Sequence, residues 1–450
     1  MKRSWFIRTA SGLAGLTVLC GMTSTAGAYS VLSHEAVVDS LWQNEIRRLL
    51  LQRFPSATEA ELRRAHAYAY GGCIIQDLGY YPFGNRFFSD LTHYVRTGDF
   101  VAAMLADARD INEYAFALGA LSHYASDEEG HPLAINRAVP LVYPKLQKKF
   151  GDDVTFEKDP RAHVMVEFSF DVVRVAGSGY LPSTYHDFVG FQVARGVLER
   201  AFRETYGLEI SDIFDDEDLA IGTYRRGASE VIPQLTRAAW KKRKNEILKM
   251  DPQASRSGFV YKLSRRGYEA EWGNDYEKPE FARWRARLRN ARPALLARIL
   301  VFIFQLVPKV GPLQTLSFKV PSPEAERLFV KSYVATLERY RSLLEEVIQG
   351  RLSLPNEDLD TGRATRLAEY ALADKSYARL LDELSDRGFR SVPPALREDI
   401  LVFYSAPGPP VATPNDSPRW RKTERELKEL RATEGAKRAT RATPELGPSH

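Results

Sequence analysis

The strongest constraint on the fold is the placement of histidines beside carboxylates at helical spacing. The segment GALSHYASDEEGHPLAINRA contains His123, Asp127 and His131, although the whole chain has only eight histidines. Residues four apart lie on one face of an α-helix, so His123 and Asp127 are expected to point at one place. The segment DPRAHVMVEFSFD repeats the spacing with His163 and Glu167. Imidazole nitrogen and carboxylate oxygen are ligands that zinc accepts, and the two pairs predict helices that hold metal.

The rest of the chain also has a helical pattern. Apolar residues recur at three- and four-residue spacing, and the alternation typical of strands is rare. Two helix starts carry capping signals, Thr58 with Glu61 and Asp110 with Glu113, and Gly130 predicts the end of the second helix. We therefore expect a mainly α, all-helical protein.

Composition divides the chain into four segments. We expect a signal peptide at 1–28, a helical metal domain at 29–225, a helical C-terminal region at 226–405 and a disordered tail at 406–450. Histidines and their partner carboxylates stop near the end of the second segment. The tail is rich in Pro, Gly and mixed charge, which favours disorder. For the C-terminal region a lipid-docking module, an inhibitory cover and a structural extension all remain open.

The first 28 residues have the order of a secretory signal peptide. A basic start precedes an apolar stretch too short to span a bilayer, and Ala26-Gly27-Ala28 follows. Cleavage after Ala28 would make Tyr29 the amino terminus and leave Cys73 as the only cysteine, so no internal disulfide could form. We expect a secreted or periplasmic protein.

Net charge does not favour an electrostatic grip on nucleic acid. The chain carries a formal +5, which loss of Lys2, Arg3 and Arg8 would reduce to +2. The expected tail holds nine Lys or Arg against six Asp or Glu, so the folded body would be near −1. A nucleic-acid-binding domain normally has a clear positive excess.

Three more residues of metal-binding chemistry precede the helical pairs. His34 lies in YSVLSH, and His93 lies in FFSDLTHY. Asp77 occupies the mostly apolar GCIIQDLGYYPFG, where a buried carboxylate is costly unless a positive charge is near. With the helical pairs and a free amine, these residues form a ligand set large enough for more than one metal.

This order of residues resembles the zinc-dependent phospholipase C family. That family has an amino-terminal aromatic followed by His, an isolated Asp, a His, then H-x-x-x-D…H and H-x-x-x-E, and it shares an all-helical fold and a trinuclear zinc site with fungal single-strand-specific nucleases. The resemblance covers about residues 29–205. It implies nine ligands for three Zn²⁺ ions: Asp77, His93, His123 and Asp127 for the first; the amine and carbonyl of Tyr29, with His34 and Asp127, for the second; His131, His163 and Glu167 for the third. It also implies Asp77 as the catalytic proton acceptor.

The chain departs from the family pattern in two places. Tyr29 stands where the family usually has Trp, which matters little because the ligand atoms are main-chain. Only three residues separate Asp127 from His131, where five are usual. An alternative third site therefore uses Glu128 or Glu129 instead of, or in addition to, His131. The remaining histidines before the terminus, at positions 66 and 186, are expected to be hydrogen-bonded or helix-face residues.

The leading functional expectation is a secreted zinc-dependent phospholipase C. It would release diacylglycerol and a phosphorylated head group by attack of a metal-bound hydroxide, with a phospholipid membrane surface as its partner. Five aromatic residues would border a lipid cleft, with ordinary core packing as the alternative: Tyr80, Tyr81, Phe83, Phe87 and Phe88. The apolar stretch 292–318 is expected to be a buried core helix or an interfacial helix.

Two other functions use the same residues. A single-strand nuclease or 3′-nucleotidase would share the metals, and the short spacing from Tyr29 to His34 is more typical of that branch. A metal-stabilised binding protein without catalysis would need closed sites, because a structural zinc has four protein ligands. About nine ligand groups for three metals leave open positions, which favours catalysis.

Overall fold

The computed structural model describes residues 30–175, 190–250, 318–405 and 418–442. Nearly all the regular structure in these ranges is helical, which confirms the mainly α prediction. The expected signal peptide, Tyr29, His186 and all but the last residue of the apolar stretch 292–318 lie outside the described residues.

The first set of helices, up to residue 250, contains all the predicted metal ligands that are described. These helices are α1 (Val31–Leu41), α2 (Arg47–Arg53), α3 (Glu59–Gly72), α4 (Arg86–Tyr94), α5 (Thr97–Asp107), α6 (Ile111–Gly130), α7 (Asn136–Val142), α8 (Pro144–Phe150), α9 (Pro160–Phe170), α10 (Arg195–Tyr206), α11 (Ile210–Ile213), α12 (Glu217–Arg226) and α13 (Ile232–Met250).

Four further helices and one small hairpin follow. They are α14 (Pro323–Ile348), the antiparallel strands β1 (Glu357–Asp358) and β2 (Arg363–Ala364), and then α15 (Ala371–Asp386), α16 (Pro394–Phe403) and α17 (Pro418–Ala442). In the hairpin Glu357 lies opposite Ala364.

Widened and tightened helical turns occur at several chemically important positions. Four π-helical turns in the described ranges connect consecutive elements or extend one of them, at Trp42–Ile46, His131–Ile135, Asp171–Val175 and Gly227–Val231. A 3₁₀ helix at Ile75–Tyr80 carries Asp77. The helix expected to end at Gly130 therefore continues through a π turn into α7. Such turns are often found at functional sites.

Helix α6 runs through the centre of the fold and packs closely on α3. Its side chains are buried from Tyr114 to Asp127. Contact between the two backbones depends on glycine: a Cβ added at Gly119 would lie 2.1 Å from the carbonyl oxygen of Ala69, and one at Gly72 would lie 1.9 Å from that of Phe116. The close approach positions the end of α3 beside the turn of α6 that carries His123.

The described part of the C-terminal region packs on these helices rather than apart from them. Helix α14 lies along α6, where the Tyr340 hydroxyl donates to the carbonyl of Leu118 at 2.9 Å. The hairpin lies against α4 and α5 through β1, and the amide of Leu359, in the hairpin turn, donates to the carbonyl of His93 at 3.1 Å. Buried residues from both halves form one hydrophobic core.

Part of the tail is helical, which corrects the expectation of disorder for residues 418–442. Leu427 and Leu430 are buried in the shared core, and the carbonyl of Leu430 accepts a hydrogen bond from the Arg397 guanidinium on α16. The two leucines lie on one helix face, so packing on α15 and α16 stabilises a segment whose charge and flanking prolines suggested disorder.

None of the helices in the described ranges combines the length and apolar character that crossing a membrane requires.

Candidate metal centre

Two histidines face each other at the centre of the fold through their Nε2 atoms. Nδ1 of His93 donates to the carbonyl of Ser89 at 2.8 Å, and Nδ1 of His123 donates to the carbonyl of Cys73 at 3.0 Å. A carbonyl oxygen only accepts, so each neutral ring has its proton on Nδ1. The two Nε2 atoms, 3.3 Å apart, are then both acceptors. Two facing lone pairs are stabilised by a cation between them.

Two carboxylates complete this first cluster. An Asp127 oxygen, Oδ2, lies 3.1 Å from Nε2 of His123 and 3.4 Å from Nε2 of His93. Oδ1 of Asp77 lies 3.4 Å from the same His93 nitrogen. All four side chains are buried. Two nitrogen and two oxygen acceptors converging in this way fit the tetrahedral preference of zinc.

The second cluster lies on the other side of Asp127. Nε2 of His34 lies 3.6 Å from Asp127 Oδ1, and its ring stacks on His123 with centroids 4.5 Å apart. The two oxygens of Asp127 therefore face different histidines, as a bridge between two ions requires. His34, His123 and Asp127 form a group whose ligand atoms lie within 4.8 Å of one another. The expected main-chain ligands of Tyr29 lie outside the described residues.

Helix α1, which carries His34, is capped by a carboxylate from another element. Oδ2 of Asp171 accepts from the amide of Leu32 at 3.0 Å, and Oδ1 accepts from the amide and hydroxyl of Ser33 at 3.0 and 2.6 Å. Ser30, at the N-cap position, makes no side-chain cap. Asp171 begins the π turn after α9, so it ties the amino-terminal helix to the helix carrying His163 and Glu167.

The third cluster contains His131, His163 and Glu167, with ligand atoms within 4.8 Å of one another. The rings of His131 and His163 meet edge to face at 4.9 Å. His131 reaches this position at the first residue of the π turn, so the short spacing does not remove it from the cluster. Glu128, the proposed substitute, instead pairs with Arg339 at 2.9 Å, and Glu129 belongs to none of the three groups.

The tautomer of His163 follows from its neighbour Asn136. Nδ2 of Asn136 donates to the carbonyl of Asp360 at 2.7 Å, which leaves Oδ1 as the acceptor for Nε2 of His163 at 2.9 Å. The unprotonated Nδ1 of His163 then faces Oε1 of Glu167 at 2.7 Å. As in the first cluster, two acceptors meet where a cation fits.

Burial makes these carboxylates unfavourable as ions in the chain alone. It raises the pKa of Asp77, and it raises that of Glu167 well above its ordinary value, with the negative charges of Asp77 and Asp127 adding to the effect. Burial also acts against ionised Asp127, but His123 and His93 outweigh it and hold that pKa well below its usual range. Burial and the charge of His131 lower the pKa of His163 to about 3. A bound cation would stabilise every ionised carboxylate in the set.

The structure also brings in a residue that sequence reasoning missed. Asp360, in the turn of the β1–β2 hairpin, is fully buried, with Oδ1 2.7 Å from Nδ1 of His131. Its sequence context, NEDLDTG, is typical of an exposed turn, and nothing in it indicates a partner so far away in the chain. The acidic pair Asp358 and Asp360 was the one available signal.

The aromatic residues expected at a lipid cleft divide into three kinds. Phe87 and Phe88 have no exposed surface and belong to the hydrophobic core, so the cleft expectation is wrong for them; Phe88 stacks on Phe202 at 5.3 Å. Tyr81 is also in this core. Tyr80 lies beside the first cluster, with its ring 6.1 Å from that of His93. Phe83 is 40% exposed.

His66 lies outside the ligand pattern and has a structural role. Nε2 of His66 lies 2.9 Å from Oδ1 of Asp39, and the ring stacks on Trp42 with centroids 3.8 Å apart. This pair joins α1 to α3, and it agrees with the expectation that His66 is a hydrogen-bonded or helix-face residue.

Comparison with known proteins gives one match. The family model for zinc dependent phospholipase C matches residues 33–215, which include all eight described ligand residues from His34 to Glu167. No curated protein and no solved structure matches the chain. Residues 33–215, with the order of the ligands within them, are therefore similar to the zinc dependent phospholipase C family.

Proposed function

We propose that the protein is a zinc-dependent phospholipase C that cleaves phospholipids into diacylglycerol and a phosphorylated head group. The match of residues 33–215 to the family model supports a phospholipase C type of function in general terms. The observation that carries the proposal is the bridge at Asp127, whose two oxygens face separate histidine clusters. A phosphodiester resists hydrolysis because water must attack an anion, and two adjacent cations remove that repulsion.

Each residue of the clusters has a proposed role that follows from its position. Zinc held here would supply Lewis acidity toward a phosphoryl oxygen. The carbonyls of Ser89 and Cys73 accept from Nδ1 of His93 and His123, which directs Nε2 of each ring toward the metal position. Asp77 is the proposed proton acceptor, because burial raises its pKa toward the range of a useful base. Asp127 fixes the separation of the first two positions.

Phospholipid is favoured over nucleic acid by family and by charge. The body between the expected signal peptide and tail has a net charge near −1, which gives little attraction for a polyanion. We also propose export of the protein, on the strength of its amino-terminal pattern, with Tyr29 supplying its amine to the second cluster. A free α-amine has a pKa of about 7.7–8.0, so metal readily displaces its proton.

The proposal is tested by an assay of the mature protein beginning at Tyr29. Phosphatidylcholine vesicles and single-stranded DNA are offered separately, with a zinc chelator and then with zinc restored. We expect chelator-sensitive release of phosphocholine that returns with zinc. His123→Asn should abolish it, whereas His66→Asn, which removes a buried histidine outside the clusters, should retain it.

Three results would contradict this proposal in different ways. Chelator-sensitive cleavage of DNA alone would identify a nuclease. One tightly held zinc without hydrolysis of either substrate would indicate a metal-stabilised binding protein. Hydrolysis that His123→Asn leaves intact would show that the clusters are not the active site.

A further inference from the structure

A carboxylate from outside the family-matched residues reaches the third cluster. Asp360 has no exposed surface, and its Oδ1 lies 2.7 Å from Nδ1 of His131. Helix α14 and the hairpin bring it there, because Gly362 packs against the end of α6. A Cβ on Gly362 would lie 2.7 Å from the carbonyl of Glu128 and 3.2 Å from Pro132, and its φ of +63° suits glycine.

The rest of Asp360 is held by specific hydrogen bonds. Its second oxygen, Oδ2, accepts from the Tyr94 hydroxyl at 3.0 Å and from the hydroxyl of Tyr370. Its amide donates to Oδ1 of Asp358 at 3.0 Å, and its carbonyl accepts from Asn136. Two hydroxyl donors on Oδ2 stabilise a buried carboxylate and leave Oδ1 directed at His131.

The contact repeats a feature of the first cluster with a different kind of partner. His93 and His123 each direct Nδ1 at a main-chain carbonyl, which leaves Nε2 for a metal. At His131 the oxygen beside Nδ1 belongs to Asp360. A metal-binding histidine usually donates its second ring N–H to such an oxygen, which fixes both its tautomer and its orientation.

We propose that Asp360 is a positioning residue of the third zinc site, holding His131 through Nδ1 so that Nε2 binds zinc beside His163 and Glu167. The same residue acts on His163 through its carbonyl, which orients the Asn136 amide. The hairpin thus completes a metal site whose ligands all lie within residues 33–215. The inference rests on the three-metal centre of the proposed function and is independent of which phosphodiester is cleaved.

The experiment measures zinc binding rather than turnover. Wild type, Asp360→Ala and Asp360→Asn are titrated against a graded zinc chelator, and bound zinc is counted by elemental analysis. Asp360→Ala should lower the affinity for one of the three zinc ions by about 10–100-fold and leave the affinities for the other two unchanged. The zinc affinity of Asp360→Asn should lie between those of wild type and Asp360→Ala, because the amide oxygen of asparagine can still accept a hydrogen bond from Nδ1 of His131. The matched control is Asp399→Asn, a partly buried carboxylate that accepts a hydrogen bond from the Tyr377 hydroxyl at 2.8 Å and belongs to none of the three metal groups found in the described residues.

A second measurement separates positioning from simple stability. In zinc-loaded protein with ¹⁵N-labelled histidine, Nδ1 of His131 should be protonated and Nε2 metal-bound, and Asp360→Ala should disturb this ring alone. Asp360→Ala that keeps all three affinities overturns the inference, even if the metal-free protein melts earlier. Complete absence of the third ion at saturating zinc would make Asp360 a ligand and overturn the positioning role. Fewer than three ions in wild type would overturn the proposed function as well.

Discussion

The cluster around Asp127 and the cluster at His131 are built from similar ligands but held in different ways. In the first, main-chain carbonyls of Ser89 and Cys73 fix the histidine rings. In the third, side chains do so: Asn136 at His163 and Asp360 at His131. For His93 the supporting main-chain carbonyl lies one turn earlier in the same helix, and for His123 the support requires only that α3 and α6 pack at the right distance. Side-chain support requires particular residue types, one of them from a segment beyond the family match.

Because of this difference, the two clusters should be sensitive to different substitutions. The first cluster is sensitive to the spacing between α3 and α6, because that spacing positions the carbonyl of Cys73. The third cluster is sensitive to residue identity at single positions in a hairpin. Substitutions that change helix spacing should therefore act on the first two ions, and substitutions in the hairpin should act on the third.

The largest effect is expected from removing the bridge. Asp127→Asn removes the charge that both the first and the second clusters share, so bound zinc should fall from three ions toward one. Hydrolysis should fall by roughly 10³-fold or more, since each metal supplies several kcal/mol of transition-state stabilisation. Elemental analysis and initial rates measure both quantities.

The control for the bridge is a second buried aspartate on the same set of helices. Oδ1 of Asp39 accepts from His66 at 2.9 Å and from the Tyr70 hydroxyl at 2.6 Å, and Asp39 belongs to none of the three groups. Asp39→Asn should lower stability and keep three ions. Equal loss of zinc in both variants would show that burial of the carboxylate, rather than bridging, is what matters.

Helix spacing is tested at Gly119. A Cβ there would lie 2.1 Å from the Ala69 carbonyl and 2.9 Å from the amide of Cys73, so Gly119→Ala must push α3 and α6 apart. We expect a loss of about 1–3 kcal/mol in the free energy of unfolding and weaker binding of the first zinc, with the third unchanged. Denaturant unfolding of the metal-free protein and chelator titration give the two values.

Gly350→Ala is the comparison for this substitution. Gly350 has a φ of +63°, but an added Cβ would meet nothing within 4 Å. Alanine there should cost stability through backbone strain and leave zinc binding unaltered. Weaker binding of the third zinc ion in Gly119→Ala would refute the proposal that helix spacing affects only the first two zinc positions.

The cap on α1 should have an intermediate effect. Asp171→Ala removes an acceptor of three hydrogen bonds from Leu32 and Ser33, and a hydrogen bond to a charged group contributes about 1.5–3 kcal/mol. His34 lies in the first turn of this helix, so the second zinc should be held less tightly. Asp110→Ala removes a cap at the amino-terminal end of α6. It should lower the free energy of unfolding by about 1 kcal/mol and leave zinc binding unchanged.

How far the sequence predicts this centre depends on the range of the interaction. Helical spacing placed His123 beside Asp127 and His163 beside Glu167, because neighbours four apart share a face in any helix. The position of His131 stayed open, since a π turn has no reliable sequence signal. Asp360 could not be predicted, because its contact joins segments distant in the chain. The same limit applies to Phe87 and Phe88, since core and cleft use the same residue types.

The smallest effect, and the one that compares the clusters under identical conditions, is the dependence of zinc binding on pH. Burial raises the pKa of Glu167 well above its ordinary value. At His131 burial acts in the opposite direction, but Asp360 outweighs it and raises the pKa. Both groups therefore hold protons at higher pH than usual in the metal-free site, and zinc must displace them. Affinity should fall as pH falls, by about tenfold per pH unit for each proton released.

Calorimetry at pH 7 in buffers of different ionisation enthalpy counts these protons. Glu167→Gln should lower the number released at the third site and flatten its pH dependence. In the first cluster, the pKa of His93 is also well above its ordinary value, because Asp127 and Asp77 outweigh the effect of burial. Glu167 belongs to the third cluster, so Glu167→Gln should leave proton release from the first cluster unchanged. Equal flattening at both sites would mean that the clusters titrate as one unit, joined through Asp127, and that the different supports of their histidines do not make them independent.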